Sequence, residues 1–271
     1  MKKYVALFLF ILFCSKTPAI ENPYVGARAL ALSDAFIAFP DVWGTFHNQA
    51  GLVNIKSISG AVYYSSQFGL KELAQMAGTV IIPTKTGTFG LGYSQFGTGQ
   101  FKETKLGLAF SKQLGKRISA GIQIDYLASI LPENSRAKGC VTFEGGLLYR
   151  ISEKFDLGVH VFNPLRQGIK SFTEEIKLPT TIRAGGSIYI SEYLLLGFEI
   201  EKNSEEKTII KSGAEFLFLE NLTIRFGVSG EPFAYTTGIG YKMGKITTDI
   251  GFYYHGNLGI TPSVSLQFNL K

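Results

Sequence analysis

The stretch that decides the fold is TPSVSLQFNL, residues 261–270. Its apolar and polar residues alternate strictly: Val264, Leu266, Phe268 and Leu270 against Ser263, Ser265, Gln267 and Asn269. Successive side chains of a β-strand point to opposite faces, so this pattern predicts a strand with one apolar and one polar face. The same alternation recurs at 118–126, 222–229 and 246–254. The chain beyond residue 55 is therefore expected to consist of β-strands.

About fourteen such segments follow one another. They are 56–66, 72–83, 86–96, 101–114, 116–130, 138–151, 154–163, 179–190, 192–202, 207–218, 221–229, 234–243, 245–255 and 261–270. Most are near ten residues, the length at which a tilted strand crosses a bilayer. Short connections such as Gly244 also alternate along the chain with longer ones such as 132–137 and 164–178. This asymmetry is typical of outer-membrane barrels. We therefore expect an all-β, antiparallel transmembrane barrel of about 14 strands, in preference to a soluble β-sandwich.

The two faces of the predicted strands differ in charge. One face is apolar, and the other carries residues of both signs: Lys105, Asp125, Glu144, Arg150, Arg183, Glu199, Lys211, Glu215, Arg225 and Asp249. In a membrane barrel the apolar face contacts lipid and the polar face lines the lumen. A lumen with both signs of charge predicts a network of ion pairs and not a filter for ions of one sign.

Residues 1–19 have the pattern of a secretory signal peptide. Basic residues at Met1-Lys2-Lys3 precede an apolar run at 5–13 and the small residues of Thr17-Pro18-Ala19. The run is too short for a membrane-spanning helix. A lipoprotein signal ending at Cys14 is the third possibility, but Phe13 stands where such a signal needs a small residue.

The composition excludes several classes of protein. Of 271 residues, 45% are hydrophobic and only 18% are charged, which argues against a disordered chain. Removal of residues 1–19 takes away three lysines and lowers the net charge from +6 to +3, too little to indicate a nucleic-acid partner. It also leaves Cys140 as a lone cysteine, which can form no internal disulfide.

Residues 20–55 do not alternate and form a separate segment before the predicted barrel at 56–271. The Ala- and Leu-rich stretch 26–36 predicts about two helical turns. The segment carries a motif in a fixed order: Gly26, Arg28, Leu32-Ser33, Ala35, Asp41 and Asn48-Gln49-Ala50-Gly51-Leu52. In order and spacing it resembles the N-terminal segment of FadL-type outer-membrane proteins, especially their PorV/PorQ branch. Those proteins have Met-Gly in place of Leu32-Ser33 and Pro in place of Gln49.

The resemblance implies a 14-stranded barrel whose N-terminal segment enters the lumen as a plug or hatch; a helix docked on the periplasmic rim is the alternative. A buried charge without a partner is costly, so charged plug residues should meet opposite charges on the wall. The expected partners are Asp125, Glu144 or Glu199 for Arg28, and Arg183 or Arg225 for Asp34 and Asp41. With Asn48, these residues form the predicted plug and lumen site.

No residue pattern predicts catalysis, a cofactor or a metal. His47, His160 and His255 lie far apart and lack ligand spacing. No Gly-x-Ser-x-Gly elbow occurs. Asp125, Glu144 and His160 share the predicted lumen face, as in barrel phospholipases, but no serine in a suitable context accompanies them. We expect a protein that is no enzyme and uses no cofactor.

Two functions remain. The PorV/PorQ resemblance implies an accessory barrel that docks outer-membrane or secreted proteins in a type IX secretion machine, and the wider FadL resemblance implies an uptake channel for hydrophobic small molecules. Because the lumen is charged and only 164–178 is a long loop, we expect the docking role. The expected location is the outer membrane of a Gram-negative bacterium, with lipid and other proteins as partners and no nucleic acid.

The loop 164–178 is the expected partner-binding surface, because apolar residues ringed by charge commonly mark one. The apolar residues of the loop are Leu165, Ile169, Phe172 and Ile176. The alternative is a loop that folds back over the mouth of the barrel.

Overall fold

The computed structural model describes residues 25–98, 101–131, 134–170, 175–230 and 233–270. The predicted signal peptide, residues 1–19, lies outside the described residues. Within the described ranges, no helix has both the length and the apolar character needed to cross a membrane.

The described chain contains sixteen strands, of which fourteen close into one barrel. They are β1 Ile58–Ser66, β2 Ala74–Pro83, β3 Thr88–Phe96, β4 Lys102–Gln113, β5 Ile118–Leu131, β6 Asn134–Ser152, β7 Phe155–Phe162, β8 Gly168–Lys170, β9 Glu175–Lys177, β10 Thr181–Tyr189, β11 Leu194–Asn203, β12 Ile209–Leu219, β13 Leu222–Ser229, β14 Ala234–Met243, β15 Ile246–His255 and β16 Gly259–Leu270. Strands β8 and β9 form a separate hairpin, so β7 pairs with β10. Antiparallel pairing of β1 with β16 completes the ring. The predicted 14-stranded antiparallel barrel is confirmed.

Strand β6 is longer than the sequence pattern indicates. Most of the expected loop 132–137 belongs to β6, and Leu131 pairs with Asn134 across the tip. The pairing of β4 with β5 ends at Lys102 and Ile130. A ribbon that reaches past the apolar band needs no apolar face, so alternation does not reveal its full length.

The outward face of the barrel is an apolar band. Val62, Leu108 and Ile122 are 52%, 54% and 67% exposed, whereas the inward-facing Ala61 and Ala109 beside them are buried. Soluble proteins rarely expose a contiguous apolar surface of this extent. The band is therefore the lipid-facing surface of a membrane barrel.

The connections differ between the two ends of the barrel. At one end, which we call the short-turn end, strands are joined by two to four residues, as at 114–117 and 244–245. At the other, the long-loop end, the connections include 67–73 and 163–180. Outer-membrane barrels place their short turns in the periplasm.

The described residues of the longest connection, 163–170 and 175–180, fold back against the wall at the mouth of the barrel. This connection contains the β8–β9 hairpin, and Ile169 and Leu178 form an apolar cluster with Leu127 and Phe162 of the wall. Ile169 is 1% exposed, so the prediction that it contacts a partner protein is wrong. An apolar loop residue at the barrel mouth is stabilised by the wall beneath it, which the local sequence does not show.

The predicted contact with a partner protein is not decided for the other three apolar residues of the loop. Leu165 is exposed, at 60%. Phe172 and the side chain of Ile176 lie outside the described residues. A partner-binding role for Leu165 therefore stays a prediction.

Residues 25–55 lie inside the barrel. They form a one-turn helix, α1, at Ala27–Leu30 and two 3-10 turns at Val42–Thr45 and Gln49–Asn54. The helix is shorter than the two turns expected, because Ser33 and Asp34 have φ angles of 52° and 57°. That left-handed conformation cannot continue a right-handed helix.

Candidate functional site in the barrel lumen

The N-terminal segment lies against glycines that face the lumen. A Cβ atom at Gly158, Gly213 or Gly251 would lie 2.5, 2.7 and 2.7 Å from a carbonyl oxygen of the segment. Those carbonyls belong to Ile37, Leu32 and Ala27 respectively. Three further wall glycines, Gly121, Gly197 and Gly227, also lie against backbone atoms of the segment. Only residues without a Cβ allow the two backbones to approach so closely.

Arg28 of α1 is the centre of the first ion-pair network. Its Nε and Nη2 donate to the two carboxylate oxygens of Glu215 on β12, both at 2.7 Å, and its Nη1 donates to Asp41 at 2.7 Å. Glu215 also accepts from Nε of Arg225 at 2.6 Å, and Nη1 of Arg225 donates to Asp249 at 2.8 Å. The network joins the segment to β12, β13 and β15.

The predicted partners of Arg28 are therefore wrong. The sequence places Glu215 on the lumen face but suggests three other carboxylates for this arginine: Asp125, Glu144 and Glu199. Asp41 likewise pairs with Arg28 inside the segment, and not with an arginine of the wall. Alternation identifies the residues that face the lumen, but not the strand that lies nearest to α1.

Glu199 on β11 binds the backbone of the segment. Its Oε2 accepts hydrogen bonds from the backbone N–H groups of Phe36 at 3.1 Å and Ile37 at 3.0 Å. Its Oε1 accepts from Nε of Arg183 at 2.6 Å, and Nη2 of Arg183 donates to the carbonyl oxygen of Asp34 at 3.3 Å. The predicted residues Arg183 and Glu199 thus meet the segment mainly through its backbone.

Asp34 lies beside this second network. Its Oδ1 atom is buried and has no hydrogen-bond partner among the described residues. Burial raises the pKa of the Asp34 carboxyl to about 6, and the nearby charges of Lys211 and Arg183 oppose that rise. An ionised Asp34 is therefore a cost to the folded protein.

A third network occupies the wall formed by β4 to β7. Nζ of Lys105 lies 2.9 Å from Glu144 and 3.7 Å from Asp125. Nε2 of His160 lies 3.2 Å from the second oxygen of Glu144, and the Lys105 ammonium lies 5.0 Å from the centre of the Phe162 ring. Asp125, Glu144 and His160 do meet on one wall.

This wall has no nucleophile beside its histidine. In the part of the chain that the structure describes, no serine hydroxyl is hydrogen-bonded to either ring nitrogen of His160, so no serine is activated there. The described residues also contain no group of three or more side chains able to hold a metal ion. The arrangement is a set of ion pairs within the wall.

Asn48 supports the end of the segment. Its Nδ2 donates to the carbonyl oxygens of Ile37 at 2.9 Å and of Leu147 on β6 at 3.2 Å. Its Oδ1 accepts from the backbone N–H of Ala50 at 3.1 Å and caps the second 3-10 turn. Asp41 caps the first turn in the same way, through the N–H of Trp43 at 3.1 Å. The polar residues of the motif therefore shape the segment and fasten it to the wall.

One sector of the wall is free of charge, a feature that the sequence analysis missed. Strands β16, β1, β2 and β3 are neighbours in the ring and contain no Asp, Glu, Lys or Arg. The ring centre of Trp43 lies 6.1 Å from that of Tyr63 on β1. Phe46 and Ile81 belong to the same buried apolar cluster. The signal was available in the predicted segments 56–66, 72–83, 86–96 and 261–270, whose two charged residues, Lys56 and Glu72, stand at the first position of their segments.

No protein-family model matches the chain, and no curated protein matches its sequence. Its fold is similar to that of solved outer-membrane proteins. A FadL homologue from Pseudomonas aeruginosa has a TM-score of 0.69 at 12% identity, over 92% of this chain and 99% of that one. The toluene transporter TbuX from Ralstonia pickettii has a TM-score of 0.68 at 12% identity, over 91% and 98%. The toluene transporter TodX from P. putida has a TM-score of 0.66 at 12% identity, over 92% and 99%.

At these identities the likeness concerns the fold. The resemblance to FadL-type barrels is confirmed at that level, whereas the narrower PorV/PorQ resemblance rests on the motif at 26–52 alone. Two of these similar structures are described as transporters, which is consistent with the expectation that this chain is no enzyme. The fold and the apolar band both agree with the expected outer-membrane location.

Proposed function

We propose that the protein is an outer-membrane channel for small hydrophobic molecules. The observation that carries the proposal is the uncharged sector of β16, β1, β2 and β3, against which Trp43 and Phe46 pack. A hydrophobic solute gains free energy wherever it replaces water against apolar surface, and gains least beside ionised groups. The uncharged sector is therefore the side of the lumen that suits such a solute.

The way in which the segment is held also favours passage on this side. Ion pairs and charged hydrogen bonds fasten it to β11, β12 and β10, through Glu199, Glu215 and Arg183. On the uncharged side the contacts are mainly apolar packing, with one hydroxyl contact of 3.0 Å between Thr45 and Thr79. A solute can displace or replace apolar packing with little loss, whereas separating buried ion pairs is costly.

The similar structures support a channel over the docking role that the sequence predicts. Two of them are described as toluene transporters. The burial of Ile169 of β8 against the barrel wall also removes one of the side chains expected to contact a partner. For the docking role, the exposed Leu165 is the remaining support from this loop.

Trp43 provides a direct test, because the chain has a single tryptophan and it lies beside the uncharged sector. The purified barrel is titrated with toluene in a neutral detergent while Trp43 emission is recorded. We expect a saturable change in intensity or wavelength. Glucose, which is polar, should produce none. A response to toluene that only follows its partition into micelles, without saturation, contradicts the proposal.

A matched pair of variants tests the route. Ser65→Lys places a charge in the uncharged sector on β1, and Ser129→Lys places the same charge on β5; both serines are buried in the lumen wall. In proteoliposomes we expect Ser65→Lys to lose most toluene uptake and Ser129→Lys to retain it. Heat-dependent gel mobility checks that both variants are folded. Equal uptake by the two folded variants argues against this route.

A further inference from the structure

Exposed charges at the short-turn end are distributed unevenly around the ring. The turns from β2 to β7, with the adjoining end of β4, carry five exposed basic residues, which we call the basic arc: Lys85, Lys112, Lys116, Arg117 and Lys154. The same turns contain one exposed acidic residue, Glu153. The next two turns around the ring, 190–193 and 220–221, carry Glu192 and Glu220 and no base, and the last short turn, 244–245, carries the single base Lys245.

The basic arc is not neutralised by the protein. Among the described residues, no ion pair involves any of its five side chains. Arg150, the nearest further base, is ion-paired with Asp156 at 3.1 Å. The arc is therefore a region of positive potential that an external anion can occupy.

The turns that carry the arc are adjacent. The backbone N–H of Arg150 donates to the carbonyl oxygen of Arg117 at 2.8 Å, which joins the β4–β5 turn to the β6–β7 ribbon. On the other side, a Cβ at Gly87 would lie 2.6 Å from the carbonyl oxygen of Ser111. Three consecutive turns thus present their bases along one continuous edge.

This edge coincides with the border of the lipid-facing band. Leu114, the first residue of the β4–β5 turn, lies between Lys112 and Lys116 in sequence and is 64% exposed. Ile118 and Leu108 continue the exposed apolar surface along β5 and β4. Lys112 is an even number of residues from Leu108 on the same strand, so it extends from the outward face. Lysine and arginine at such a border keep their stems on apolar surface and their charges among headgroups.

We infer that the basic arc binds anionic phospholipid headgroups in the leaflet at the short-turn end. The phosphate of the headgroup contacts Lys112, Lys116 and Arg117. The acyl chains of the same phospholipid lie along Leu114 and Ile118. Juxtamembrane bases each add to the attraction for anionic lipid. The inference rests on the outer surface of the barrel and does not depend on what the lumen transports.

The test is a competition for lipid followed by native mass spectrometry. The wild-type barrel in neutral detergent is offered equal amounts of phosphatidylglycerol and phosphatidylcholine with matched chains. The variant Lys112→Gln/Lys116→Gln/Arg117→Gln removes three charges from the arc. The control Lys71→Gln/Arg166→Gln/Lys177→Gln removes three exposed charges from the long-loop end.

We expect the wild type and the control to retain phosphatidylglycerol preferentially, and the arc variant to lose about tenfold or more of that preference. Equal losses in the two variants, or no preference in the wild type, overturn the inference. Glycerol phosphate, added to the wild type as a competitor without acyl chains, distinguishes a site for phospholipid from a site for any phosphate anion. If it displaces the lipid at similar concentration, the arc is an anion site and the lipid assignment fails.

Discussion

Arg28 and Glu215 are joined by two parallel hydrogen bonds of 2.7 Å, although 187 residues separate them in the chain. Such a paired contact sets the orientation of the guanidinium group as well as its position. The same guanidinium lies 5.6 and 5.7 Å from the ring centres of Phe36 and Phe39. The contact therefore fastens α1 and the aromatic residues after it to the wall at β12.

Replacing Glu215 by glutamine should destabilise the barrel by about 3 kcal/mol, because it leaves Arg28 and Arg225 without a shared carboxylate in a buried site. The midpoint of urea unfolding in micelles measures the loss. Glu220→Gln makes the same change on an exposed turn and should alter stability by less than about 0.5 kcal/mol. Similar midpoints for the two variants would show that the ion pair contributes little.

Gly158→Ala should destabilise the protein by about 1–3 kcal/mol, because its Cβ would lie 2.5 Å from the carbonyl oxygen of Ile37. Gly115→Ala is the control, since a Cβ there meets no atom within 4 Å. Unfolding midpoints of both variants, taken by heat-dependent gel mobility, provide the comparison. An unchanged midpoint for Gly158→Ala would mean that the segment moves aside freely.

Asp34→Asn should stabilise the protein near neutral pH and not in acid. The pKa of Asp34 is raised in the folded protein from 3.8 to about 6, so the folded state holds its proton more tightly than the unfolded chain. Stability therefore falls as pH rises from about 4 to 6, and the asparagine variant escapes that loss. We expect a gain on the order of 2 kcal/mol at about pH 7.5 and none at about pH 3.5. A gain of equal size at both values would point to a cause other than ionisation.

The intact barrel should conduct ions poorly in a planar bilayer, because residues 25–55 occupy its interior and the charges of the lumen pair with one another. Removal of residues 25–54 should produce a steady conductance, provided that the truncated barrel still shows heat-dependent mobility. Open-pore currents from the full-length protein would contradict the expectation by themselves.

Much of the fold could be predicted because the side chains of a strand that face lipid must be apolar, and they occupy every second position. Val264, Leu266 and Phe268 therefore reveal β16 directly, and its observed start at Gly259 differs by two residues from the expected one. Prediction is poorer for residues that do not contact lipid. Two features of such residues lie beyond the apolar band, where alternation carries no information: the extension of β6 to Asn134, and the burial of Ile169 of β8 against the wall.

The contacts between side chains in the lumen were harder to predict than the strands of the wall. Alternation assigns Glu215, Arg225 and Asp249 to the inward face, but the height of each side chain depends on strand register. Glu215 stands directly opposite Arg225 because β12 and β13 pair in that register. Their contact with α1 depends further on where the segment enters the closed ring.

The sequence by itself determined the class of fold, the number of barrel strands and the face on which their residues lie, because a strand in contact with lipid has an apolar side chain at every second position. Only the tertiary structure decided which charges meet, such as Arg28 with Glu215, and which glycines receive the segment, such as Gly158. Those contacts join residues far apart in the chain, and closure of the ring sets their distances. No local pattern of residues encodes that closure.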